Sequence, residues 1–116
     1  MIIGEFNVGP VHPRRFHLAK TCHSSETHQH NYDHSTIVLR GRLLLITSDP
    51  DGTEVSRQEY GWGEWFDMKA YQHHTLKALE DGTVYDCVFS HRDFDGQVSQ
   101  RFVGNSEAYE QCSMNC

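Results

Sequence analysis

No stretch of this chain carries a helical repeat of apolar residues; the apolar positions fall instead into short β-rich runs separated by turn clusters. Residues 37–47 are rich in β-formers and leucine, interrupted by Arg40, Gly41 and Arg42. Ser48, Asp49, Pro50, Asp51 and Gly52 follow. Proline presets φ and glycine accepts positive φ, so this cluster predicts a turn. Residues 55–60 are then the return strand of a hairpin. Gly61, Trp62 and Gly63 mark another bend, after which Trp65, Phe66 and Met68 resume an apolar stretch. Residues 70–79 and 84–92 predict two further strands, separated by a turn at Glu80, Asp81, Gly82 and Thr83. A third turn, residues 93–96, leads to a strand over 97–103. At the start, residues 1–8 and 16–22 predict short strands, with Gly9, Pro10 and Pro13 breaking regularity between them. His12, Arg14, Arg15 and His17 are read as solvated. Short strands with regular turns predict an all-β sandwich or barrel.

Side chains on a strand alternate between faces, so one residue of known preference orients its neighbours. Lysine is rarely buried unpaired, so Lys77 marks the outer face of residues 70–79. His73 and Thr75 share that face, and His74, Leu76 and Ala78 point inward. In residues 84–92, Asp86 and Arg92 mark the outside. Tyr85, Cys87, Phe89 and His91 then point inward as candidate pocket walls, in a row that is more often plain core than chemistry. Ile37, Leu39, Leu43 and Leu45 make a coherent inner face. An inward His34 would carry Arg40 and Arg42 inward by simple alternation, so a β-bulge is expected between His34 and Ile37.

Composition narrows the class. A chain of 116 residues fits one domain, which buries roughly 65% of the surface its unfolded form exposes. The division expected is a single domain over 1–104, with its core at about 22–92, and a tail over 105–116. The net charge of −6 with no basic stripe argues against nucleic acid as a partner. The apolar run at residues 43–46 is far too short to span a bilayer, so no membrane is expected. The opening residues lack the basic region of a signal peptide, which makes cytoplasmic the default localisation. Cysteines stand at 22, 87, 112 and 116. Without a secretory signal, thiols in a frayed tail are the first expectation for Cys112 and Cys116. A zinc site of Cys22, His23, Cys112 and Cys116 is the alternative. The apolar residues 1–6 are expected to pair with a sheet edge of a second copy, giving a homodimer.

The candidate chemistry lies in residues 28–41, His-Gln-His-Asn-Tyr-Asp-His-Ser-Thr-Ile-Val-Leu-Arg-Gly. His28 and His30 share a strand face with Cα atoms roughly 7 Å apart. Two imidazoles at that separation can reach one ion through bonds of about 2 Å. His34 joins them if the strand continues or bends inward, and His74 is the fourth candidate by its inward parity. A tag would be contiguous and terminal, which this cluster is not. Imidazole suits zinc, copper, iron and nickel, so one divalent transition metal per chain is expected (Fe, Cu, Zn or Ni).

These residues resemble the cupin superfamily over about residues 22–92. The first cupin motif has a glycine, a spacer, H-x-H, three or four residues, a glutamate, six residues and a glycine. His28, His30 and Gly41 fit it, with His34 in the glutamate position. The second motif, P-x-G-x-x-H and often asparagine four residues on, is matched only at His74. Lys69 replaces the proline, Tyr71 the glycine and Ala78 the asparagine. The resemblance implies a double-stranded β-helix, or jelly-roll barrel, with a metal near one end and a homodimeric assembly. A histidine in place of the glutamate leaves a divalent site at a charge of +2. That charge favours an anionic small-molecule ligand such as an enolate or carboxylate.

Two classes of function follow. One is a metal-dependent oxygenase of the dioxygenase type, acting on a small organic acid or diketone-like substrate. The other is a non-catalytic module that holds a metal or small ligand. A sugar isomerase ranks below both, because the sequence shows no clear basic pocket.

Overall fold

The computed structural model describes residues 2–5, 11–25, 29, 33–90 and 112–113. Among the described residues there are ten strands: β1 (Ile2–Glu5), β2 (Val11–Leu18), β3 (Ser24–Ser25), β4 (His34–Arg40), β5 (Arg42–Ser48), β6 (Glu54–Gly61), β7 (Trp65–Met68), β8 (His73–Ala78), β9 (Thr83–Ser90) and β10 (Cys112–Ser113). They form two five-stranded sheets, ordered β1-β2-β9-β4-β7 and β10-β3-β8-β5-β6. Every pairing is antiparallel. Phe16, Val38 and Tyr85 of the first sheet share one buried cluster with Leu43, Leu45 and Leu76 of the second. The expected all-β jelly roll is the observed architecture. Among the described residues, no helix is long and apolar enough to cross a membrane.

The register arranges the inner face of the first sheet in rows. Phe16, Tyr85 and Val38 sit side by side on β2, β9 and β4. Arg14, Cys87, Thr36 and Phe66 form the next row, across to β7. His12 lies beside Phe89, and His34 beside Met68, in the row beyond. The second sheet is layered in parallel fashion: Ala78 beside Leu43, Leu76 beside Leu45, His74 beside Thr47. The barrel interior therefore has an apolar end and a histidine end. Phe16 and Tyr85 stack at the apolar end, with ring centroids 5.1 Å apart and planes 13° from parallel. On the outer face the Arg15 guanidinium forks onto Asp86 at 2.8 and 3.0 Å, which raises the arginine pKa.

Several sequence expectations are corrected. The strand expected at 16–22 begins earlier, at Val11, and runs through Pro13. β1 pairs with β2 only as far as Arg14. At Pro13 that side of β2 has no described neighbour, and a residue without an N–H is tolerated at such an edge. His12 and Arg14 are consequently not solvated: they share the inward face with Phe16 and Leu18, at 6% and 2% exposure. Residues 2–5 pair with β2 of their own chain and form an edge strand of the first sheet.

The bulge exists but falls later than expected. β4 pairs regularly with β7 from His34 to Ile37, and its register against β9 shifts between Val38 and Arg40. The inner face of β4 is therefore His34, Thr36 and Val38, while Ile37 and Leu39 are half-buried on the other face. The shift turns Arg40 out, and Gly41 at φ +80° turns the chain into β5. A Cβ at Gly41 would lie 2.5 Å from Thr83 Oγ1 and 3.0 Å from Thr83 Cα, so the position needs glycine for space as well as for φ.

Cys22 is disulfide-bonded, while Cys87 is a buried thiol outside any disulfide. The disulfide withdraws Cys22 from the alternative zinc site; the tail expected to carry thiols lies outside the described residues over 105–111 and 114–116. His23, the other member of that set, accepts a hydrogen bond from the Lys20 amide at Nδ1, 3.3 Å away.

Candidate metal centre

His34 opens β4 and His74 stands second in β8, so the two sheets deliver them to the same end of the interior. His34 is 5% exposed and His74 1%. Their ring centroids lie 5.6 Å apart with planes tilted by 49°. Two imidazoles bound to one ion through single nitrogens have centroids at comparable separation. The orientation of His74 follows from β8, whose inward positions are His74, Leu76 and Ala78. His73 is half-buried on the opposite face with Lys77. His28, His30 and His91 lie outside the described residues. Among the described residues, no group of three His, Cys, Asp or Glu side chains comes together.

The loop before β8 sets the His74 tautomer. Nδ1 of His74 lies 2.8 Å from the Gln72 carbonyl oxygen. A carbonyl only accepts, so Nδ1 carries the hydrogen and the lone pair resides on Nε2. This is the arrangement that orients a metal-binding imidazole. The Gln72 carbonyl is placed by a turn closed by the Gln72 amide donating to Lys69 O at 3.2 Å. The third residue of that turn, Tyr71, has φ +65°. Positive φ there is ordinary for glycine and strained for tyrosine. Asp33, immediately before His34, accepts a hydrogen bond from the Ala70 amide at 2.7 Å. One carboxylate thus couples the start of β4 to the turn that holds His74.

Tyr85, Cys87 and Phe89 face inward at 0%, 3% and 4% exposure. Cys87 Sγ lies 3.5 Å from Thr36 Oγ1. A cavity of about 210 Å³ opens beside His34, Met68 and Phe89, with Asp33, Asp67 and Lys69 also lining it.

Solved structures share this architecture. An oxalate decarboxylase of Lactobacillus farciminis, solved as a formate complex, superposes with a TM-score of 0.59 at 21% identity, over 69% of this chain and 23% of its own. A cupin-2 domain containing protein from Shewanella frigidimarina gives 0.60 at 13% identity, over 78% and 82%. A protein from Neisseria meningitidis gives 0.60 at 15% identity, over 73% and 78%. The chain has the cupin fold. At these identities the likeness establishes the fold alone. The chain spans about a quarter of the length of the Lactobacillus oxalate decarboxylase. No protein-family model matches the sequence, and no curated protein matches it.

Sequence reasoning missed two residues of this interior. The His12 ring lies 5.3 Å from that of Phe89, and Arg14 Cζ stands 5.5 Å from the Phe89 centroid. The signal was present: both share parity with the apolar pair Phe16 and Leu18. Reading Pro13 as the end of regular structure hid it.

Proposed function

We propose that this cupin binds one divalent transition metal through His28, His30, His34 and His74, and that it acts on a small organic anion as a metal-dependent oxygenase. The observation that carries the reading is the buried His34–His74 pair, brought together from opposite sheets at 5.6 Å. Burial of two imidazoles without chemistry to do would cost desolvation for no gain in packing. Neutral imidazoles fit iron, copper, zinc or nickel. A Bacillus subtilis oxalate decarboxylase of the same fold has Mn(II) centres. Manganese prefers carboxylate ligands, which a set of histidines does not offer.

A divalent ion at these histidines would supply Lewis-acid polarisation of a bound carboxylate or enolate. The chain's own residues prepare that chemistry. The Gln72 carbonyl holds the hydrogen on His74 Nδ1, so that Nε2 presents its lone pair. Met68 and Phe89, buried at 3% and 4% exposure, form an apolar part of the cavity wall.

Elemental analysis of protein purified without added metal, followed by oxygen uptake over small acids and diketones, tests this reading. His74→Ala is expected to lose metal, and His73→Ala to retain the wild-type content. Retention by His74→Ala together with a His28→Ala, His30→Ala double variant refutes the site. A shell closed by all four histidines, with no exchangeable position, makes the chain a non-catalytic metal-binding module instead.

A further inference from the structure

β6 ends the second sheet, and among the described residues no strand pairs with its far side. Residues 54–59 are exposed on both faces, whereas β2, β7 and β8 bury every second residue. Such an edge offers unpaired backbone N–H and C=O groups to another chain. Large apolar side chains stand near its two ends, Val55 at 60% exposure and Trp62 at 79%.

Register decides which backbone groups of β6 face outward. The Gly61 N–H donates to the Glu64 carboxylate at 2.7 Å, and the Gly61 carbonyl accepts from the Glu64 amide at 3.0 Å. Both groups of Gly61 therefore point away from β5. The strand opposite agrees: Arg42 pairs with Gly61, and its carbonyl accepts from the Leu79 amide on the side of β8. Backbone groups alternate in direction along an antiparallel strand. Pairing runs without a shift from Arg42 and Gly61 to Thr47 and Ser56. Tyr60, Gln58 and Ser56 thus turn their groups to β5, while Glu59 and Arg57 turn theirs outward. The Glu59 and Arg57 side chains lie beside Leu44 and Ile46 on the outer face of the sheet, opposite to the core face of Leu43 and Leu45.

We infer that β6 is the surface through which a second copy of this chain joins, antiparallel about a twofold axis at Gln58, so that the two second sheets merge. Two copies that pair this way must set outward-facing residues opposite one another. Arg57 opposite its own copy, or Glu59 opposite its own copy, brings like charges together and is unfavourable. With the axis at Gln58, Arg57 of each copy faces Glu59 of the other on the same sheet face, in a hydrogen-bonded pair. Charges on an edge strand ordinarily block pairing, and here they block the neighbouring registers while favouring this one. Arg57 holds Glu54 of its own chain through Nε and Nη2, at 3.1 and 2.8 Å, which leaves Nη1 for a second carboxylate. Glu59 meets Arg42 at only 3.5 Å. The same register brings Val55 of each copy to the Trp62 end of the other, where both exposed apolar side chains gain cover. The joint includes no residue of the proposed metal site and stands or falls separately from it.

Sedimentation equilibrium of the full chain over a dilution series, with metal content measured on the same samples, tests this. Wild type is expected to dimerise. Arg57→Glu and Glu59→Arg should each weaken self-association at least about 10-fold, because each sets like charges opposite one another in both pairs. An equimolar mixture of these two variants restores opposite charges in both pairs and should associate as tightly as wild type. Ile3→Lys changes an exposed residue on the edge strand of the other sheet and should dimerise like wild type. Every variant should keep the wild-type metal content, which separates a failure here from a failure of the metal site. A monomeric wild type, an unaltered dimer in either single variant, or a mixture that stays monomeric overturns the inference. Loss of the dimer in Ile3→Lys overturns it in favour of β1.

Discussion

The two ends of the barrel interior are lined by the same strands and are buried to the same depth, yet they differ in chemistry. At one end Phe16, Val38, Tyr85, Leu43 and Ala78 are 0–1% exposed and close on one another. At the other, His12, Arg14, His34 and His74 are 1–6% exposed, and His34 also lines a cavity. Burial at the apolar end contributes roughly 25 cal/mol for each Å² removed from water. Burial at the histidine end costs desolvation, which hydrogen bonds or a bound ion must offset. Equal burial therefore carries opposite energetic sign. The apolar end supplies the stability that lets the histidine end hold polar groups, a tyrosine at positive φ and an open cavity.

Mutations at the two ends should separate stability from binding. The largest effect expected is Phe16→Ala. It removes a ring that is 0% exposed and stacked on Tyr85, at a cost of about 3–5 kcal/mol measured by urea unfolding. Metal affinity per folded molecule should be unchanged. Cys22→Ser comes next. Cys22 borders the apolar end, since the neighbouring His23 carbonyl accepts from the Ala78 amide at 3.0 Å. Loss of its disulfide should lower stability by about 2–4 kcal/mol, and a reductant should do the same to wild type but nothing to the variant.

The smaller effects lie at the histidine end. Asp33→Ala releases the Ala70 amide and loosens the turn that presents the Gln72 carbonyl to His74. Competition with a chelator should show metal affinity about 10-fold weaker, as for other residues that orient a ligand. Thermal stability of the metal-free protein should fall little. The smallest change is Tyr71→Gly, which relieves φ +65° at a residue 65% exposed. It should raise stability by up to about 1 kcal/mol, with part of the relief offset by the entropy of glycine. A loss of stability there would mean that the tyrosine ring holds the turn by packing, and that the histidine end is not where strain resides.

Strand parity was readable wherever a charged residue marked the outside. Lys77 oriented His74, and Asp86 oriented Tyr85, Cys87 and Phe89. Parity failed where the chain offered contradictory marks. Arg40 and Arg42 required a bulge, but nothing local distinguishes one residue of 35–40 from another as its place. The answer depended on β9, against which Val38 still pairs and Arg40 is displaced. Pro13 misled in the same way, because whether a missing N–H matters depends on a neighbouring strand's length. The disulfide at Cys22 was hidden because pairing of distant cysteines needs a geometry that spacing does not contain.

The sequence by itself determined the class of fold. Turn chemistry at residues 48–52 and 80–83 and the alternation between them are local properties, set by the φ preferences of proline and glycine and by the pleat of a strand. It also turned His74 rather than His73 inward, because that too is a matter of alternation along one strand. Only the tertiary structure decided that His34 and His74 meet from different sheets, and that Arg14 and His12 share their interior. Those encounters depend on the order of strands in two sheets and on the register between them. Order and register are settled by the packing of the whole core, in which Phe16, Tyr85 and Leu43 fix how far each strand can slide.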